Sequence, residues 1–460
     1  MLWHSQPDWQ GIYPSPQEQW SKVWGTITWV LPYLLFVLGG YYIVGDITQE
    51  EKRGTLNFIR LSPRPAWQIL IGKILGVPIL PYLAVLTLVP IHIFAALSGG
   101  TSLLFMVSYY LVLATSVFLC YSLALFFGLT GSSQKGFMGQ QGTTAISFGA
   151  LAFFVFSPIF MFWNSAVTWQ HLIDNSTLLG NSAEASGLQW VYLPIGESSI
   201  LTHLFTLANL AILLALIWRM VLRRFRHPRA TLMSKRQSYG LVAYVEILMV
   251  GFTLSSEFNR NGWDASGAAA FLVIVSVVML LMLMFALVPQ RQALLDWSRY
   301  QARGLQSWLW ADKSPMLLAM VVHLAMVYGL LLPWVFVNGL GWKYPGETIV
   351  TAIGLTNTLL IYGLFIQTVM AGRTRNPLVW TVGGLAVWML IPPILLGVLR
   401  LTPDKIPSSA ALWTFFGYPF LAWDEPFGLL FSQIGLLFQW VLLGLLVWQC
   451  DRVLKQLRQP

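Results

Sequence analysis

Six histidines, two cysteines and 18 acidic residues are the side chains of this 460-residue chain that could hold a metal, attack a substrate or relay a proton. Their spacing argues against such chemistry. His4, His92, His171, His203, His227 and His323 show no pairing at the helical spacing a metal site uses, and Cys120 and Cys450 are too few for a thiolate site or a disulfide framework. No serine sits in a Gly-x-Ser-x-Gly elbow, and the adjacent carboxylates Asp424 and Glu425 diverge, which speaks against a hydrolase or glycosyltransferase. Gly72-Lys73 lacks the upstream glycine and the following hydroxyl of a Gly-x-x-x-x-Gly-Lys-Ser/Thr loop, so the chain cannot cradle ATP phosphates by that device. The residues describe a protein that is not an enzyme and carries no metal or cofactor of its own.

What positions the remaining charges is a membrane. With 56% hydrophobic and 10% charged residues and a mean hydropathy of +0.66, the chain lies far from soluble domains, in which about 25% of residues are charged. The net charge of +9 sits in short gaps beside apolar stretches, without the long aromatic-interleaved run that nucleic acid would require. A helix needs about 20 apolar residues to cross a bilayer. Stretches of that kind run from Trp24 to Gly45, Ile74 to Leu97, Leu103 to Gly128, Thr143 to Trp163 and Ser199 to Val221. Six more run from Leu241 to Phe258, Gly267 to Val288, Met316 to Val337, Thr348 to Ala371, Leu378 to Leu399 and Phe427 to Gln449. The predicted fold is therefore all-α, a polytopic integral membrane protein of about eleven transmembrane helices. The first 23 residues have no basic, then short apolar, signal-peptide pattern, so the first stretch is expected to be retained.

Twenty-two of the 27 Lys and Arg residues fall in alternate gaps, the other five being Lys22, Arg260, Lys343, Arg400 and Lys405. By the positive-inside rule this puts the N-terminus outside and the C-terminal tail, with Arg452, Lys455 and Arg458, in the cytoplasm. Gap lengths recur between the halves, and each half reads as a six-helix unit if the first has lost its opening helix. The expected segments are an outer segment over 1–23, a first transmembrane unit over 24–221, a basic cytoplasmic linker over 222–240 and a second unit over 241–460. Met1 would then be an internal start. Half-to-half repeats are typical of transporters whose route lies at the repeat interface. Ala410 to Trp423 is too short to cross and reads as a re-entrant or interfacial piece on the outer side, which with Asn164 to Gly196 would cover the outer mouth.

One gap is unusual. In Asp46 to Lys73, Thr48 and Glu51 have capping-box spacing and predict the start of a short helix, broken at Ser62-Pro63. Leu56, Phe58 and Ile59 give that helix an apolar side, while Glu50, Glu51, Lys52, Arg53 and Arg60 keep the rest wet, as on a helix at a membrane surface. A second helix with Pro65 in its first turn leads past Gly72 and Lys73 into the bilayer. An ordinary solvated loop whose charges only set topology fits the same pattern.

The run Glu50-Glu51-Lys52-Arg53-Gly54-Thr55-Leu56, followed by Leu61-Ser62-Pro63 and Leu70-Ile71-Gly72-Lys73, resembles the signature between the second and third spans of ABC-type exporter permeases of the type 2 class. It is similar in particular to the large two-unit permease-like membrane proteins of cyanobacteria. The resemblance implies an exporter's membrane subunit whose coupling helix docks on a separate ATPase, with ATP bound by that partner. Glu51, Arg53, Gly54, Thr55, Gly72 and Lys73 match the family's positions, and Glu50, Glu51, Arg53 and Arg60 would supply ion pairs that fix a docking register. Gly54 would permit close approach of another backbone. A weaker counterpart lies in Pro289 to Pro315, where Arg303, Gly304 and Ser314-Pro315 echo Arg53, Gly54 and Ser62-Pro63. Leu294, Trp297, Leu305 and Trp308 give that segment an apolar face opposite Arg291, Arg299 and Arg303. Expected partners are the ATPase, membrane lipids, an exported substrate of unspecified kind and, left open, a second copy. The expected location is a bacterial plasma membrane, with a thylakoid membrane also open.

Other readings rest on ionisable groups inside the spans, which are costly and kept for function. An ion-coupled secondary carrier would need them, and the chain is poor in them. Glu246 is expected to pair with Lys235 or Arg236, and His92 and His323 to bond neighbouring helices. Pro78, Pro81 and Pro90 should kink one span, and Pro392-Pro393 should break another. Most of the 22 tryptophans fit aromatic belts at span ends, such as Trp24, Trp163, Trp342 and Trp423. A non-transporting membrane scaffold or assembly factor is the third reading.

Overall fold

Helix α1 (Pro16–Tyr33) begins at a capping box: Glu18 N–H donates to Ser15 Oγ at 3.2 Å and Ser15 N–H to Glu18 Oε2 at 2.9 Å. This computed structural model describes residues 15–131, 141–164, 189–196, 198–228, 230–254, 265–300, 304–372, 376–422 and 427–458. The stretch 165–188, which makes up most of the expected outer excursion, lies outside the described residues, as do Asp424 and Glu425. The chain divides into two compact units, Met1–Pro228 and Arg229–Pro460, a boundary that falls within the stretch read as a linker.

In the first unit α1 passes through a π turn (Leu34–Gly39) into α2 (Gly40–Arg53). There follow α3 (Thr55–Arg60), α4 (Ala66–Gly76), α5 (Ile79–Ser98), α6 (Leu103–Gly131) and α7 (Gln141–Leu151). Beyond α7 a second π turn carries the helix on to Asn164, and α8 (Ser199–Arg226) completes the unit. α6 packs against α8 and α2, and α1 against α5. Gly39 and Gly40 allow the π turn to press against the rings of Tyr121 and Phe148, where a Cβ would collide. The core includes Phe36, Ile47, Tyr109, Tyr121 and Phe148.

In the second unit α9 (Lys235–Thr253) and α10 (Ala265–Leu287) precede two short helices, α11 (Arg291–Tyr300) and α12 (Leu305–Trp310). Then come α13 (Leu317–Val337), α14 (Leu340–Lys343), α15 (Pro345–Ala371), α16 (Pro377–Val398), α17 (Ala410–Phe415) and α18 (Gly428–Arg458). α15 and α17 pack on α18. They are tied by a buried amide: Asn357 Nδ2 donates to Gln439 Oε1 at 3.1 Å, and Gln439 Nε2 lies 3.0 Å from Thr358 Oγ1 and 2.8 Å from Thr414 O. Thr414 is fully buried, so the short piece after Ala410 packs among helices at that point, while Leu412 and Phe420 on the same piece are exposed.

Ten helices among the described residues are long and apolar enough to cross a membrane, five in each unit. The chain is an all-α, multi-pass membrane protein. α9 falls short of that test because its first turn carries Lys235, Arg236 and Gln237, and the apolar stretch read there runs on into residues 255–258, outside the described set. The only β pairing among the described residues is a single bridge, Trp190 to Leu193.

Proline behaves differently from the sequence expectation, and the reason is local chemistry. A proline in a helix leaves the carbonyl four residues back without its N–H partner, a loss that hydrocarbon cannot repair. Pro393 would strand Met389 O, but Tyr418 Oη donates to that oxygen at 2.6 Å, and α16 runs unbroken through Pro392-Pro393. Pro78 strands Ile74 O, which accepts from Tyr82 Oη at 2.9 Å. There the helix does bend, dividing α4 from α5. Pro32 strands Thr28 O, which lies 3.4 Å from Tyr109 Oη. In the first π turn Leu35 O accepts from Tyr121 Oη at 3.0 Å, and in the second Ser157 Oγ donates to Ala152 O at 2.9 Å.

Replacing Tyr82 or Tyr418 by Phe should therefore destabilise the protein by about 1–3 kcal/mol each, the cost of an unsatisfied buried acceptor. Tyr42→Phe, at an exposed ring, should be neutral. Thermal unfolding in detergent checks this, and equal effects at all three positions would refute it.

Candidate functional site

The charged segment forms a hairpin at the end of one long helix. α1, the π turn and α2 make 38 residues of continuous helix, Pro16–Arg53, or roughly 57 Å at 1.5 Å per residue. A hydrocarbon core of about 30 Å cannot contain it, and its polar last two turns, Asp46 to Arg53, stand beyond the apolar part. Thr48 is not a helix cap: it lies mid-helix, its hydroxyl donating to Val44 O at 2.8 Å. The break comes instead at Gly54, whose φ of 74° is the left-handed conformation that ends helices. A Cβ at Gly54 would meet nothing, so within this chain its glycine is explained by backbone angle and not by close approach. α3 then forms the tip, and α4 returns toward the apolar layer with extended Pro65 as its N-cap.

Internal ion pairs close the hairpin. Asp46 and Glu50, one turn apart on α2, face Lys73 on α4: Lys73 Nζ lies 2.5 Å from Asp46 Oδ2 and 2.7 Å from Glu50 Oε2. Arg60 Nη1 lies 3.4 Å from Glu51 Oε2 and donates to Asn57 Oδ1 at 2.8 Å. Its guanidinium sits 5.6 Å above the ring of Phe225 on α8. Burial lowers the Arg60 pKa from its ordinary value, and Glu51 opposes that shift. Glu50, Glu51, Arg60 and Lys73 each have a partner within the chain. Thr55 Oγ1 donates to Glu50 O at 3.2 Å, and Leu56 is fully buried.

What the hairpin presents outward is a different set. Lys52, Arg53, Gly54 and Thr55 are exposed, as is Gly72 on the return helix. Phe58 is 79% and Leu61 85% exposed, so the apolar side read for α3 is divided: Leu56 anchors it and Phe58 points away. Residues two apart lie about 200° around a helix axis, so once 55–60 is helical Leu56 and Phe58 must take opposite sides. Asp46, the second partner of Lys73, was also missed as a site residue, since only folding brings residues 27 positions apart together.

The counterpart in the second unit is built otherwise. α10 ends at Leu287, and Pro289 precedes α11, so no continuous helix reaches this segment. Leu294 and Trp297 are buried, Trp297 Nε1 donates to Ser307 Oγ at 3.0 Å, and its ring meets Trp308 edge-on at 5.0 Å. Arg299 is exposed on α11 and Gly304 caps α12 in extended conformation, while Arg303 lies outside the described residues. Lys235 pins the segment from α9, with Nζ 2.6 Å from Trp308 O, 2.5 Å from Ser314 Oγ and 3.0 Å from Pro315 O. Burial pushes its ammonium down to about 8, with Asp312 opposing.

Lys235 is therefore not the partner of Glu246. That buried carboxyl instead meets Ser276 Oγ at 2.7 Å. His92 lies between Thr28 Oγ1 at 2.8 Å and Tyr110 Oη at 2.7 Å, and His323 Nε2 lies 3.0 Å from Ser238 Oγ. These histidines tie neighbouring helices. Among the described residues no three His, Cys, Asp or Glu side chains converge as a metal would require. Comparison of the chain with protein-family models, curated proteins and solved structures gives no match.

Two outcomes follow. In a double-mutant cycle with Glu50→Gln and Lys73→Met, the pair should couple by about 1–3 kcal/mol, and either single change should speed hydrogen exchange across residues 54–72. Additive effects with unchanged exchange would contradict the clasp. Lys235→Met, which leaves three buried acceptors without their donor, should cost about 3–5 kcal/mol in thermal unfolding.

Proposed function

We propose that the chain is the membrane subunit of an ATP-driven, ABC-type exporter, and that its first hairpin receives the movement of a separate ATPase. The observation that carries this reading is mechanical. A helix some 57 Å long runs without interruption from Pro16 to Arg53 and ends in a tip that ion pairs hold rigid. Force applied at α3 would pass along that helix into the apolar layer instead of bending a loop.

The exposed set, Arg53 with Phe58 and Leu61, suits a partner's cleft: two apolar side chains to bury and a cation to set register. Glu50, Glu51, Arg60 and Lys73 would then act within the hairpin, holding its shape. The second hairpin lacks a continuous helix behind it, so coupling is assigned to the first. The charge bias supports placing both hairpins and the C-terminus in the cytoplasm of a bacterial plasma membrane, with the N-terminus outside. ATP would be bound and hydrolysed by the partner.

One observation favours an alternative. Glu246 is a buried carboxyl in contact with Ser276 on the next helix, and a proton-coupled carrier would use such a group. Glu246→Gln separates the two: ATP-dependent flux survives it in an exporter, and gradient-driven flux is lost in a carrier.

The combined variant Arg53→Glu, Phe58→Ala should reduce copurification of the ATPase at least tenfold, the equivalent of about 1.4 kcal/mol, while insertion and thermal midpoint stay unchanged. Undiminished association, or labelling that places residue 53 outside the cell, would end this assignment.

A further inference from the structure

A cavity of about 350 Å³ lies within the second unit, between α10, α13 and α15. Its shape is informative. It is lined from Ser266 to Leu280 on α10, from Leu324 to Val335 on α13 and from Thr348 to Leu359 on α15. At 1.5 Å per residue those stretches run roughly 16 to 21 Å along the helices, so the cavity is elongated and its lining is almost entirely apolar, as an extended hydrocarbon chain would require. A compact ligand would leave most of its length empty, and an apolar slot of this kind does not hold ordered water.

The wall offers little to a polar ligand. Tyr328 Oη donates to Ala352 O at 2.8 Å, Thr348 Oγ1 to Tyr344 O at 2.7 Å, and Ser276 Oγ lies 2.8 Å from Leu272 O and 2.7 Å from Glu246 Oε1. These hydroxyls are spent on the protein itself. Toward the helix ends the lining takes in Leu340, Ser266 and Thr348. In a multi-pass protein this is the level of lipid headgroups, and Lys343 stands there over the ring of Tyr344 at 4.7 Å. Ile274, at the rim, is 61% exposed, so the slot also opens sideways.

We propose that this slot binds the acyl tail of a bilayer phospholipid, its headgroup at the Leu340–Lys343 end and its methyl end near Leu280. The proposal stands apart from the exporter reading, since a bound lipid is compatible with any function of the membrane unit. It assigns α10, α13 and α15 a non-protein component that completes their packing.

The test uses the full-length protein in phosphatidylcholine vesicles in which one acyl chain carries a diazirine. After illumination, labelled peptides are mapped by mass spectrometry. The outward face of α16, with Trp380, Val387 and Ile394 exposed, reports ordinary contact with lipid. Labelling of the slot residues should exceed that face severalfold. It should fall to the α16 level in Ala270→Phe, Ala352→Phe, which fills the slot, while labelling of α16 itself stays constant. Equal labelling of the slot and α16 in the wild-type protein would overturn the proposal whether or not the filled variant folds, as would unchanged slot labelling in a folded filled variant.

Discussion

A backbone carbonyl left bare in hydrocarbon costs several kcal/mol, and several helix irregularities of this molecule are arranged to avoid that cost. Pro32, Pro78 and Pro393 each strand a carbonyl, and each time a tyrosine hydroxyl from another part of the chain, or from the following turn, occupies the vacancy. The π turns are handled in the same way by Tyr121 and Ser157. Tyrosine suits this role because its ring packs as an apolar body while its single O–H reaches one acceptor. Helix irregularity and helix packing are consequently one problem here. Tyr418 joins the short piece after Ala410 to α16 by the bond that satisfies the carbonyl stranded by Pro393.

That constraint also separates the two hairpins. In the first unit α2 leaves the apolar layer without a break, and its polar end is stiffened by Lys73 between Asp46 and Glu50. In the second, Pro289 ends the approach, and the segment is fixed from the side by buried Trp297 and by Lys235. One hairpin stands at the end of a long helix and is closed by ion pairs; the other follows a helix end and is held from the side by buried Trp297 and Lys235.

The spans were legible in the sequence because length and apolarity are sufficient for them: nothing but a helix satisfies its own backbone across hydrocarbon. The turn at Gly54 was legible as a special residue but not as a helix end, since the capping-box spacing of Thr48 and Glu51 suggested that a helix began where one was already finishing. Glu246 was assigned the wrong partner for a related reason. Lys235 is nearby along the chain, but three acceptors near the start of α13 claim its ammonium, and Ser276 on the neighbouring helix meets the carboxyl. Local spacing cannot rank a near partner against a better-placed distant one.

By itself the sequence determined that this is a helical membrane protein, roughly where its helices run and which gap concentrates charge, because each of these depends on composition along a single segment. Only the tertiary structure decided which charges of the hairpin find partners within the chain, which proline-stranded carbonyls meet a tyrosine hydroxyl, and where an apolar void remains among α10, α13 and α15. Those outcomes turn on atoms brought within about 3 Å, the reach of a hydrogen bond, from positions far apart in the chain. Spacing along one segment does not encode that proximity.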